Sequence, residues 1–82
     1  DGNDVTNAKP DPEVFLKAAQ LLNIDPKDSI VFEDSVAGIQ AANIAEMVSV
    51  GIGEETILHE AQHIFKDFTL IDESFINDLI SQ

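Results

Sequence analysis

Cysteine, arginine, tryptophan and tyrosine are all absent from this chain of 82 residues. Without cysteine there is no disulfide and no thiolate-metal cluster to staple a small fold, so stability has to come from packing. Cations are scarce too, with four lysines against 16 acids and a net charge of −12. That balance repels nucleic acid and anionic membranes, and the missing arginines remove the guanidinium fork that phosphate readers commonly use. No apolar run approaches the ~20 residues of a membrane span, and no secretory leader pattern stands at the front. The expectation is a soluble, cytoplasmic protein. The chain is one domain at most, of a size that buries only about 60–65% of its surface, and it opens at Asp1 without an initiator Met. Together these features read as a piece of a longer protein. An acidic protein that handles an anionic substrate needs a cation, which draws interest to any lysine or divalent metal beside its carboxylates.

What is present is organised around Ser29 to Asn43, S-I-V-F-E-D-S-V-A-G-I-Q-A-A-N. Ser29 to Phe32 read as a buried strand, and the chain then meets two acids, Glu33 and Asp34. Ser35 follows as a helix cap, ahead of the small and apolar series Val36, Ala37, Gly38, Ile39, Ala41 and Ala42 of a buried helix running to about Ala45. Strand, paired acids and capped helix make a βα turn of an open α/β sheet, and ligands bind beyond the carboxyl ends of such strands. Acids at a helix start also favour the positive end of its dipole and often do nothing more.

Ahead of this centre, Asp1 to Ala8 is a polar, turn-rich loop whose D-G-N-D portion lacks the further ligands of a calcium loop. Lys9-Pro10-Asp11-Pro12 is a stiff turn that fixes the start of a helix, with Asp11 as cap and Pro12 at the first helical position. Val14, Phe15, Ala18, Ala19, Leu21 and Leu22 supply that helix with one apolar face, and Asn23 ends it in the left-handed conformation. Asp25 to Asp28 is a tight connection into the central strand. Beyond the centre, Met47 to Val50 is a second strand closed by Gly51-Ile52-Gly53, and its separation from the first by one helix argues for parallel, right-handed neighbours. Glu54 to about Glu60 reads as a short surface helix and His63 to Phe65 as a brief edge strand. Asp72 or Ser74 caps a last helix with Phe75, Ile76, Leu79 and Ile80 on its apolar face. With so little sheet, the strand at Ser29 to Phe32 is expected to leave an unpaired apolar edge.

His59-Glu60-Ala61-Gln62-His63 matches the H-E-x-x-H pattern of zinc proteases. That chemistry needs an unbroken helix and a third ligand, whereas His63 opens a strand in this reading and no further histidine exists. The zinc reading is therefore set aside.

K-P-D-P-E-V-F at 9–15 and V-F-E-D-S-V-A-G-I-Q-A-A at 31–42, one helix and a short turn apart, resemble the third and fourth signatures of the haloacid dehalogenase superfamily, in its β-phosphoglucomutase-like branch. The likeness continues through M-V-S-V-G-I-G and A-Q-H-I-F, nearly the whole chain. It implies an α/β fold class: residues 1–82 as the C-terminal part of a Rossmann-like, three-layer core domain, a parallel sheet flanked by helices. It also implies magnesium-dependent phosphoryl transfer on a sugar phosphate through an aspartyl-phosphate, most directly the interconversion of β-glucose 1-phosphate and glucose 6-phosphate. Hydrolysis of a small phosphate ester and a non-catalytic interaction module are the alternatives. In the resemblance Glu33 and Asp34 are Mg2+ ligands and Lys9 is the lysine that pairs with the nucleophile and the phosphoryl oxygens. Ser35 and Gly38 give structural support, the first as cap, the second by letting the helix pack behind the acids. The implied partner is a small phosphorylated sugar, with neither nucleic acid nor membrane. Oligomeric state stays open, a monomer being compatible with the full-length protein. The chain departs from the family in lacking the D-x-D-G nucleophile element, the second-signature Ser or Thr and a cap domain. Asp1-Gly2 stands in the wrong place for the first of these, and Glu46 stands where relatives commonly carry a glycine after the helix.

Overall fold

A parallel sheet of three short strands, described with the rest of residues 6–81 in a computed structural model, positions everything else. The strands β1 (Ile30–Glu33), β2 (Val48–Ile52) and β3 (His63–Phe65) lie in the order β1-β2-β3, so β1 and β3 are the edges of the described sheet. Ile30 pairs with Val48 and Glu33 with Gly51 across the first ladder, while Val50 to Ile52 pair with His63 to Phe65 across the second. The expected Asp1–Ala8 loop is described only from Thr6 onward, and the D-G pair at 1–2 lies outside the described residues.

Helices α1 (Glu13–Leu22) and α2 (Val36–Ile44) pack on the face that carries Val31, Met47 and Ser49. Alternation along a strand places Glu33 on that same face, two residues after Val31. A third helix, α3 (Glu73–Ile80), covers the other face, with Phe75 stacked edge-on against His63 and Phe65 at ring separations of 5.1 and 4.7 Å. The result is the three-layer α/β arrangement the sequence implies. Its core runs through Ala19, Ile39, Ala41, Ala42, Ala45, Met47 and Val50, the small residues of α2 allowing a close seat on β2.

Both longer helices end alike. At the end of α1, Asn23 takes φ 55° and the Ile24 amide reaches back to the Ala19 carbonyl. After α2, Glu46 takes φ 63° and the Met47 amide reaches Ala42. Each is a left-handed stop that satisfies the last carbonyls, and the second also buries the next apolar side chain, Met47, whereas Ile24 after the first stays exposed. Asn23 was expected in this role, and the missing glycine at 46 is explained by Glu46 adopting the conformation itself.

Several expectations shift. Pro12 is the cap residue of α1, one position later than expected, although the Asp11 carboxylate still accepts from the Glu13 amide at 2.9 Å. Leu21 and Leu22, placed on the apolar face by spacing, are 59% and 69% exposed, whereas Ala19 and Phe15 are the α1 residues packed into the core cluster. β1 runs through Glu33 and β2 through Ile52. Glu54–Glu60 is a series of turns and not a helix. A turn forms on the Glu54 carbonyl and another on the Leu58 carbonyl, and between them Leu58 buries itself against Gly51. Starting a helix costs more than so short a segment recovers. The same segment is tied to α2 by the Asn43 side-chain amide on the Glu60 carbonyl, at 2.9 Å, and just beyond it the Gln62 backbone amide donates to buried Ser49 of β2, at 3.0 Å. His59 in a turn and His63 in a strand cannot make the one-turn helical pair of a zinc protease, which closes that reading.

Candidate active site

The carboxyl end of β1 delivers Glu33 toward α2 and Asp34 toward solvent. Ser35 then caps α2 as expected, its hydroxyl oxygen accepting the Gly38 amide at 3.0 Å. The same hydroxyl donates to Glu33 Oε1 at 3.3 Å, so the helix start and the acid share one serine. Glu33 Oε2 accepts from the Lys9 ammonium at 3.0 Å, across 24 residues of chain. Lys9 also lies over the Phe15 ring, with its nitrogen 5.0 Å from the ring centre, a favourable seat for a cation. It arrives there on the turn before α1, which Pro12 and the Asp11 carboxylate fix; the Lys9–Pro10 peptide bond is cis.

The structure thus brings Lys9, Glu33, Ser35 and Gly38 into one connected group, with Asp34 adjacent. Glu33 is mostly buried, at 15% exposure, and its charge is balanced by the one ammonium that meets it. Asp34 is exposed and has no hydrogen-bond or ion-pair partner among the described residues. It opens on a cleft of about 420 Å3 walled by Phe32, Glu33, Asp34, Ile52 and Phe68, at the carboxyl rim of β1 and β2. As residues of the site, Phe15 and Phe68 escaped the sequence reading, which placed Phe15 only on the apolar face of its helix. Phe15 lies six residues beyond Lys9, a spacing that a stiff turn followed by one helical turn brings back on itself, whereas nothing marks Phe68.

For magnesium, the donor chemistry fits. Hard carboxylate oxygens are its preferred protein ligands, and it commonly takes one or two of them and completes its octahedron with water and substrate phosphate. Glu33 and Asp34 could offer two; no group of three or more Asp, Glu or His side chains is assembled among the described residues. Of the pair, Asp34 accepts no hydrogen bond among the described residues, while each oxygen of Glu33 accepts one and keeps a lone pair.

A parallel three-layer sheet with acids and an ammonium at its carboxyl rim defines a Rossmann-like domain whose site is directed at an anion or a cation. The family can be given more narrowly. A profile of haloacid dehalogenase-like hydrolases matches residues 1–46, more than half of the chain, and the chain belongs to that family. It is 43% identical over 70 residues to a validoxylamine A 7'-phosphate phosphatase from Streptomyces hygroscopicus, covering 82% of this chain and 33% of that protein. It is also 43% identical over 54 residues to β-phosphoglucomutase of Bacillus subtilis, covering 66% and 24%. A crystal structure of β-phosphoglucomutase from Clostridium difficile superposes with a TM-score of 0.89 at 36% identity, over 95% of this chain and 35% of that one. The chain spans about a quarter to a third of the length of these relatives. No helix among the described residues is long and apolar enough to cross a membrane.

Proposed function

We propose that residues 1–82 are the C-terminal part of the core domain of a magnesium-dependent sugar-phosphate mutase, converting β-glucose 1-phosphate to glucose 6-phosphate, with the attacking aspartate supplied from elsewhere in the polypeptide. The observation that carries the reading is the Lys9–Glu33 contact of 3.0 Å beside an open Asp34 at the sheet rim. Phosphoryl transfer asks for little covalent chemistry and much placement of charge. Here Asp34 and Glu33 would hold the metal and Lys9 would face the phosphoryl oxygens as a point charge, in a chain that has no arginine for the task. When bound, the ion would offset negative charge as it builds on the transferring group. The substrate would be a small phosphorylated sugar and the setting cytoplasmic, with no role for nucleic acid or membrane.

A second reading keeps the site and replaces the mutase by a phosphatase acting on a small phosphate ester; the 43% identity over 70 residues to the validoxylamine A 7'-phosphate phosphatase favours it. Assay of the full-length polypeptide separates the two. Bisphosphate-primed formation of glucose 6-phosphate with no release of inorganic phosphate is the expected result, and phosphate release without isomerisation replaces the first reading by the second.

A further inference from the structure

We propose that Gly38 is a positioning residue: its bare Cα is the seat on which the Glu33 carboxylate rests, and through Glu33 it sets where the Lys9 ammonium stands. A Cβ built at Gly38 would lie 1.6 Å from Glu33 Oε1, 2.3 Å from Cδ and 2.8 Å from Cγ. No side chain at 38 can share the space with Glu33 as it stands. The backbone conformation does not call for glycine there. Gly53 is the glycine with positive φ among the described residues, so the backbone of Gly38 suits any residue, and glycine inside a helix is disfavoured against alanine. The three nearest atoms to the missing Cβ all belong to Glu33. Ser35 closes the seat from the side, taking the Gly38 amide at 3.0 Å and giving its hydroxyl hydrogen to Oε1 at 3.3 Å. The remaining oxygen, Oε2, is thereby aimed at Lys9.

The geometric claim stands apart from the reaction, while its catalytic consequence rests on the phosphoryl-transfer reading above. In the full-length polypeptide, Gly38→Ala is expected to lower Tm when Glu33 is present, and to leave it unchanged or raise it in the Glu33→Ala background. An equal loss in both backgrounds overturns the proposal. The Glu33 carboxyl 13C resonance should move on Lys9→Met in the glycine protein and no longer respond in Gly38→Ala; a retained response also overturns it. With turnover, Gly38→Ala should cut kcat on the order of a hundredfold, the scale of an ångström-level misplacement, with a smaller change in KM. Glu33→Asp, shorter by one methylene, should harm the glycine enzyme and restore part of kcat in the alanine one, and absence of that recovery counts against the seat. Coupling in the melts and spectra without phosphoryl transfer in any variant supports the seat and removes the reaction instead.

Discussion

Both oxygens of Glu33 are engaged, one by Ser35 and one by Lys9, while its neighbour Asp34 faces open solvent without a partner among the described residues. Two adjacent carboxylates therefore stand in different situations, and a substitution separates them. Asp34→Asn in the full-length polypeptide is expected to cut phosphoryl transfer by on the order of a hundredfold or more, the weight of a metal's charge stabilisation. Its Tm should stay put, because no packing or hydrogen bond is lost; steady-state kinetics and a melt read the two effects separately. Glu13 gives the pH counterpart. The Thr6 amide chiefly, against some desolvation, and then the Asn7 amide and the Lys17 charge hold its carboxyl below the ordinary range. A lowered folded value means that its tie to residues 6–7 is present at neutral pH and lost as pH falls through that value. The Thr6 and Asn7 amide resonances should titrate with a midpoint below the usual carboxylate range, and Glu13→Gln should abolish the titration. At this scale the acids and the serine cap were legible in sequence, since strand, acid pair and cap are consecutive. The partner of Glu33 was not, because Lys9 reaches it only through the fold of the intervening helix.

Among elements, the two helix stops differ in what they ask of their residues. Asparagine tolerates the left-handed conformation through its short polar side chain, whereas a glutamate bears the full crowding between its Cβ and the backbone. Glu46→Gly is thus expected to stabilise the fold by about 1 kcal/mol, the left-handed penalty less the extra freedom of glycine when unfolded. Chemical denaturation of the full-length protein measures it, and a loss of stability would show that Glu46 makes a contact worth more than its strain. Elements defined by local chemistry were readable in advance, among them the Asn23 stop, the β1–α2 turn and a last-helix cap narrowed to Asp72 or Ser74, of which Asp72 serves. Those settled by tertiary packing were not. Leu58 left a helical pattern for a place against Gly51, and Leu21 and Leu22 kept one while staying exposed among the described residues.

Among the described residues, apolar surface is left open on both sides of the sheet, with Leu22 on α1, Phe68 and Leu70 beyond β3, and β1 as an edge of the described parallel sheet. Such an edge offers unpaired amides and carbonyls to any other strand. The 82-residue chain by itself is therefore expected to associate or fold poorly despite its charge of −12, which light scattering over a concentration series reports; a sharp, concentration-independent melt from a monomer contradicts it. The layered architecture was visible in the alternation of strand and helix patterns. How much surface it leaves bare was not, because spacing tells which residues share a face and not what lies opposite.

The Lys9–Glu33 contact has one more consequence. Its ends sit before α1 and at the tip of β1, so the contact works as a clasp fastened over a whole helix. If α1 frays from its first turn, the clasp opens while the ladder between β1 and β2 is still closed. Under the proposed phosphoryl-transfer reading, warming the full-length polypeptide should then silence turnover several degrees before the circular-dichroism signal of the sheet begins to fade, the working part of the molecule being the first to come undone.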